Sequence, residues 1–272
     1  MAVLNCTPDS FSDGGLWSGD DAVEHARACV RAGAAIIDVG GESTRPGAAR
    51  IDAHEQVRRT QGVIRALAAW LRAEGRHDVA ISIDTTLAAV ARAAIDAGAS
   101  IINDVSACSE DAALAPLAAA EGAGLVLMHR VLDPTHDRWS HEHRASLVSG
   151  DIVEAVAAAL AARVAEVSAR GVPVQSIAID PGLGFGKTVQ ENLALVAGTA
   201  AFVATGHPVL VGASRKSFIG AITGEPDPAR RVAGSVALHL EAATRGAHLL
   251  RVHDVAEHVQ ALATWRAVRA LA

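Results

Sequence analysis

The chain has 272 residues and a formal charge of −6 at pH 7; half of its residues are hydrophobic, yet only 3% are aromatic and Tyr is absent. So mild an acidity gives no global field that would draw nucleic acid or an anionic membrane surface, and any anion site must be a local cluster. A core of this size must therefore be built from Ala, Val, Ile and Leu, as in parallel strands covered on both faces by Ala-rich helices.

Along the chain, short β-branched runs alternate with helix-length segments. The pattern predicts strands near 2–6, 35–40, 79–84, 101–105, 124–128, 176–180, 208–213 and 248–253. Several are continuous apolar runs, as in Pro208-Val209-Leu210-Val211, which is expected of strands buried on both faces. Helical patterns occupy 21–32, 53–74, 86–97, 111–121 and 150–170, and Gly33, Gly98, Gly171 and Gly246 stand where helices should stop in left-handed caps. Repeated β-α units of this length predict an α/β fold, a single (β/α)8 TIM barrel over residues 1–272. The alternative is a doubly wound open sheet, since the sequence does not show closure.

Cys6, Cys29 and Cys108 form neither a CxxC pair nor a metal-ligand spacing, so reduced thiols in a cytoplasmic protein are expected. No apolar stretch approaches the roughly 20 residues that span a bilayer, and no cleavable leader precedes the first strand, so a soluble, intracellular chain is expected. The least regular stretch, 130–150, carries His136, His141 and His143 beside Asp133 and Asp137. A polar mobile loop outweighs a metal site there.

Polar strings close the apolar runs, and a parallel barrel gathers the C-terminal ends of its strands into one mouth. After strand one, the amide oxygen of Asn5 can ligate Mg²⁺, which favours oxygen ligands and phosphate. After strand two, Thr44 offers a hydroxyl and Arg45 a fork suited to phosphate, against the plain alternative of a surface turn. Asp84, Asn103 and Asp180 each end an apolar strand. A buried carboxylate is costly without partners, and a reduced pterin supplies two parallel donors, its 2-amino group and N3–H.

Gly182-Leu183-Gly184-Phe185-Gly186-Lys187-Thr188 resembles a nucleotide loop, but Pro181 stands where a Walker A loop needs its first Gly. The loop is better suited to holding Phe185 beside the mouth. Ser214-Arg215-Lys216-Ser217 and Arg251-Val252-His253-Asp254 follow strands seven and eight, the usual phosphate region of this barrel. Strand alternation puts Arg251 and His253 on one side, where both can face a phosphate.

Taken together, and in this order from Asn5 to the helix after His253, these strings resemble the dihydropteroate synthase family, the folate-pathway enzymes targeted by sulfonamides. The resemblance implies condensation of 6-hydroxymethyl-7,8-dihydropterin diphosphate with 4-aminobenzoate, releasing pyrophosphate and 7,8-dihydropteroate. It implies Asn5 on Mg²⁺, and Arg45, Arg251 and His253 on phosphate oxygens with Thr44 nearby. Asp84, Asn103, Asp180 and Lys216 would fix the pterin, with Met128 packed on its face. Phe11, Pro46, Phe185, Lys216 and Ser217 would form the 4-aminobenzoate subsite. Asp84, Arg45, Lys216, Arg251 and His253 are the expected catalytic set, and a homodimer is expected.

An arylamine is neutral and already nucleophilic at pH 7, so the demanding step is departure of pyrophosphate, and an SN1-like displacement is expected. Ordering of the loops at 5–15 and 41–50 would create the arylamine subsite and exclude water. Inhibition by sulfonamides is the default expectation. The chain departs from the family in lacking a short N-terminal extension, which would leave the barrel floor less covered. It also has Cys6 where an aliphatic or small residue is common, and Arg130-Val131-Leu132 where Met-Gln-Gly is common. Two rivals are a pterin-dependent methyltransferase, which needs no diphosphate site, and a non-catalytic pterin-binding paralogue.

Overall fold

A computed structural model describes residues 1–7 and 19–271. Six parallel strands hydrogen-bond side by side in chain order: β1 (Ala2–Asn5), β2 (Ile36–Gly40), β3 (Ala80–Asp84), β4 (Ile101–Asp104), β5 (Gly124–Met128) and β6 (Ile177–Asp180). Two short strands, β7 (Leu210–Val211) and β8 (Leu249–Leu250), pair with each other. Single parallel bridges, Ile179 with Val209 and Ala2 with Val252, join the two sheets at both edges. Each bridge is carried by backbone bonds: Ile179 N–H donates to Pro208 O at 2.9 Å and Val3 N–H to Val252 O at 2.9 Å. The ring is therefore closed. The fold is a (β/α)8 barrel, and the open-sheet alternative falls.

The helices lie outside this ring: α1 (Gly19–Arg31), α2 (Ala53–Ala73), α3 (Ala88–Ala97), α4 (Leu114–Glu121), α5 (Ile152–Ala169), α6 (Val189–Ala197), α7 (Thr199–Val203), α8 (Ser217–Thr223), α9 (Val232–Thr244) and α10 (Val255–Arg269). Several starts are written in the sequence, since Asp52 and Asp151 accept first-turn amides and Thr188 with Glu191 forms a reciprocal capping box. The expected stops hold, with φ of 103° at Gly33, 118° at Gly98, 100° at Gly171 and 96° at Gly246. Residues such as Ile37, Ile83, Ile102, Leu125 and Leu127 are fully enclosed, which fits strands covered on both faces. At the end of the barrel where the strands begin, a cavity of about 230 Å³ is lined by Met1, Ile36, Ile101, Gly124, Ile177 and Leu249.

The stretch 130–150 is the irregular, mostly exposed polar loop expected from its composition, but it is anchored at several points. Asp137 and Ser140 are buried. Asp137 accepts the Gly186 amide at 2.8 Å on one oxygen and meets His143 Nε2 at 3.0 Å on the other. Asn192 Nδ2 donates to Ser140 Oγ at 3.1 Å, and Ser146 donates to Glu191. Asp137, Ser140, His143 and Ser146 thus find partners within the stretch and at Gly186, Glu191 and Asn192, while His136 and His141 are exposed. Among the described residues, no helix is long and apolar enough to cross a membrane.

Candidate active site

Strand register assembles the mouth. Asn5 pairs with Gly40, Gly40 with Asp84 and Asp84 with Asn103, while Met128 pairs with Asp180. Asp84, Asn103, Met128 and Asp180 are all buried. A Cβ on Gly40 would lie 3.8 Å from both Asn5 Oδ1 and Asp84 Oδ2. Those are ordinary contact distances, so the glycine is not required by crowding; the two oxygens beside it, an amide and a carboxylate, are of the hard donor type that Mg²⁺ takes.

Asp38 is the residue of this cluster that sequence reasoning missed. It stands within the apolar run of β2, is fully buried, and lies on the barrel's inner face. Its Oδ2 accepts from Arg251 Nε at 2.7 Å and from Asn103 Nδ2 at 3.0 Å. Arg251 Nη2 donates to Asp84 Oδ2 at 2.7 Å. A charge inside a run that must be buried on both faces was the available signal. One guanidinium thus serves two carboxylates. Burial pushes the Asp84 carboxyl up to about 7, with Arg251 opposing the shift and the charge of Asp38 adding to it. Asp180 is likewise raised by burial, against a hydrogen bond from the Gly182 amide at 2.7 Å and the charges of Lys216 and Arg251.

The cationic side is more selective than the sequence implied. Val252 is buried between Arg251 and His253, whose side chains meet different partners: Arg251 the carboxylates Asp38 and Asp84, His253 the hydroxyl of Ser214. His253, however, is not a cation: burial, then the nearby charges of Arg251 and Arg215, push it down to about 3. Its Nδ1 lies 2.9 Å from Ser214 Oγ, which also accepts the His253 amide at 3.1 Å. A neutral imidazole serves phosphate as an N–H donor. Arg215 is committed to Asp254 through Nε at 3.0 Å and through Nη2, and takes a left-handed φ of 59° as the chain turns into Lys216. Arg45 is exposed on the loop after β2, where its amide meets Ser43 Oγ at 3.4 Å. Among the described residues no ion pair joins it to the others. Thr44 and Pro46 share that loop and are partly buried.

Lys216 Nζ sits 4.2 Å from the centre of the Phe185 ring. Burial, helped by Arg251, pushes its amine down to about 8. A Cβ on Gly184 would stand 3.1 Å from the Lys216 side chain, so that glycine admits the approach. Ser217 Oγ accepts the Ser140 amide at 3.4 Å, which brings Ser217 against the 130–150 segment. Phe11 lies outside the described residues. Lys187, dismissed as a Walker lysine, is fully buried and donates to the carbonyls of Gly182, His129 and Phe185 at 2.8, 3.1 and 3.1 Å. It fastens the Phe185 loop to the end of β5. The Cys6 thiol at the mouth is pushed up to about 12, chiefly by burial, so it is no nucleophile.

Known proteins share this fold over nearly the whole chain. A family described as pterin binding enzyme matches residues 1–253. Dihydropteroate synthase of Mycobacterium leprae is 45% identical over 269 residues, covering 96% of this chain and 90% of that protein. The Escherichia coli K12 enzyme of the same name is 41% identical over 263 residues, covering 96% and 88%. Among solved structures, Xanthomonas albilineans dihydropteroate synthase with 4-aminobenzoic acid superposes with a TM-score of 0.89 at 41% identity, covering 99% of this chain and 92% of that one. The same enzyme in complex with 7,8-dihydropteroate gives 0.85 at 38% identity, covering 99% and 92%. With a family match over residues 1–253 and relatives 41–45% identical over nearly the whole chain, the chain belongs to the dihydropteroate synthase family of pterin-binding transferases.

Proposed function

We propose that this chain condenses 6-hydroxymethyl-7,8-dihydropterin diphosphate with 4-aminobenzoate in folate biosynthesis, with Mg²⁺ and by an SN1-like displacement. The observation that carries this reading is the meeting, at one mouth, of the buried carboxylates Asp84 and Asp180 with Lys216 stacked on Phe185. Asp180 and Asn103 supply acceptors and a donor for the pterin edge. Arg251, the His253 N–H, Thr44 and Arg45 hold the diphosphate, and Lys216, Phe185, Ser217, Pro46 and Phe11 serve the arylamine. Asn5, with Asp84 beside it, would hold Mg²⁺, which supplies charge neutralisation on the leaving pyrophosphate.

The acid–base arrangement suits such a step. Two carboxylates, Asp38 and Asp84, share the one guanidinium of Arg251. The excess negative charge favours a cation developing at the pterin methylene, while Lys216 offers its amine to the anionic partner. The buried, free thiols fit a cytoplasmic setting, and a homodimer is proposed by analogy with the family.

Pyrophosphate release from the pterin diphosphate, with 4-aminobenzoate and with Mg²⁺ or a chelator, tests the reading. Release only with Mg²⁺, matched by dihydropteroate, supports it. Pterin binding without release would instead point to a non-catalytic paralogue. Scrambling of an oxygen label between bridging and non-bridging positions, without arylamine, tests the SN1-like step; a label that stays in place argues for concerted attack.

A further inference from the structure

Arg50 lies on the loop after β2 and contacts the loops after three other strands. Its Nε donates to Glu42 at 3.1 Å, its Nη2 to Thr86 Oγ1 at 2.9 Å and to Glu110 at 2.8 Å, and its Nη1 to Glu110 at 3.0 Å and Asp133 at 3.5 Å. Those partners follow β2, β3, β4 and β5. Arg130, in the segment that departs from the family pattern, donates to the same Glu110. The β2 loop is tied at two further points: Gly47 N–H donates to Pro134 O at 2.9 Å and Ile51 N–H to Glu42 at 2.8 Å. Burial alone would raise Glu110, but hydrogen bonds from Arg50, Thr86 and Arg130 outweigh it and hold its carboxyl at about 2.

The geometry points to Arg50 as a positioning residue, a clamp that holds the Thr44–Arg45–Pro46 loop against the ends of β3, β4 and β5. With those three residues serving the substrates as proposed above, the clamp pre-forms the arylamine side of the mouth. A planar fork with all its donors engaged fixes direction, which a lysine cannot do. Partly exposed ion pairs contribute little to global stability, so the effect should appear in substrate capture and not in melting.

The test combines Arg50→Met and Arg50→Lys, reading kcat, KM for each substrate, melting temperature and amide exchange at Gly47 and Ile51. For Arg50→Met, KM for 4-aminobenzoate rises about tenfold, a modest fraction of what a misplaced group can cost. KM for the pterin diphosphate and the melting temperature stay near native, both amides exchange faster, and Arg50→Lys recovers only part. An unchanged KM for 4-aminobenzoate in an active enzyme overturns the clamp. So does an equal rise in both KM values with a lowered melting temperature, which marks a general structural role. If the native chain makes no dihydropteroate, the proposed function falls, while exchange still decides the clamp: faster exchange in Arg50→Met supports it and unchanged exchange overturns it.

Discussion

Arg251 reaches across the barrel mouth to Asp38, Nε to Oδ2 at 2.7 Å, and that carboxylate is fully buried. Arg251 also holds Asp84, so Arg251→Ala would strand two buried carboxylates and confuse stability with catalysis. Asp38→Asn is the cleaner probe. It removes one acceptor charge while Arg251 keeps Asp84, and should cost about 1–3 kcal/mol of stability. Because the Asp38 charge adds to the rise of Asp84, its loss should let Asp84 titrate at lower pH. Carbon-detected NMR titration of the Asp84 carboxyl, with urea unfolding, checks both; an Asp84 midpoint that stays or climbs refutes the coupling.

Asp180→Ala should weaken pterin binding with a smaller effect on the arylamine. Asp180 is buried, accepts from the Gly182 amide and sits beside Met128 in the β5–β6 register. Loss of a buried carboxylate that takes two donors from a heterocycle should cost on the order of 2–3 kcal/mol of affinity. Calorimetry with the pterin alone is the measurement, and undiminished affinity would remove Asp180 from the ring site.

Lys187→Met should loosen the Phe185 loop. The three N–H groups of the ammonium meet three backbone carbonyls, and a thioether would leave them unpaired. About 3 kcal/mol of stability should be lost, with weaker 4-aminobenzoate capture because Phe185 O and Gly182 O frame that loop. Thermal unfolding and KM for 4-aminobenzoate report the two effects. A variant as stable as the native chain would show that water can replace the ammonium.

The strand ends were legible in the sequence because a polar residue closing a continuous apolar run is itself unusual. Asp84, Asn103 and Asp180 were found that way, and the register then brings Asp84 beside Asn103. Asp38 was not found, since it sits inside its run and its partners are distant in sequence, Asn103 on β4 and Arg251 after β8. Lys187 was hidden for a related reason: a side chain satisfied by main-chain carbonyls leaves no sequence motif. The anchoring of the 130–150 segment was hidden too, because Asp137 and Ser140 find their partners at Gly186 and Asn192. Closure could not be read from single strands, because β7 and β8 attach to the rest of the sheet by one bridge each.

Behind the ends of β7 and β8 runs a chain of histidines whose proton positions are set by its ends. Ala213 N–H donates to His239 Nε2 at 2.9 Å, so that nitrogen bears no proton. His239 Nδ1–H then donates to His258 Nε2 at 2.8 Å, and His258 Nδ1–H to Asp254 O at 2.6 Å. Burial, followed by the influence of His258, lowers His239 to about 3. An unfolded histidine titrates near 6.5. Between about 6.5 and 3 the unfolded chain therefore binds the proton that the folded chain refuses, and stability present above that window is lost as pH falls through it. From pH 7 to pH 5 this single group should account for about 2 kcal/mol of loss. Raised carboxyls such as Asp84 act in the opposite sense over part of the same range, so the native profile alone is not diagnostic and the difference from a variant is. Gln at this position can accept the Ala213 amide and donate to His258 without titrating. Urea unfolding of native and His239→Gln at pH 7 and pH 5 should show the variant losing less stability on acidification. Parallel losses in the two proteins would mean that His239 takes up its proton within the folded barrel.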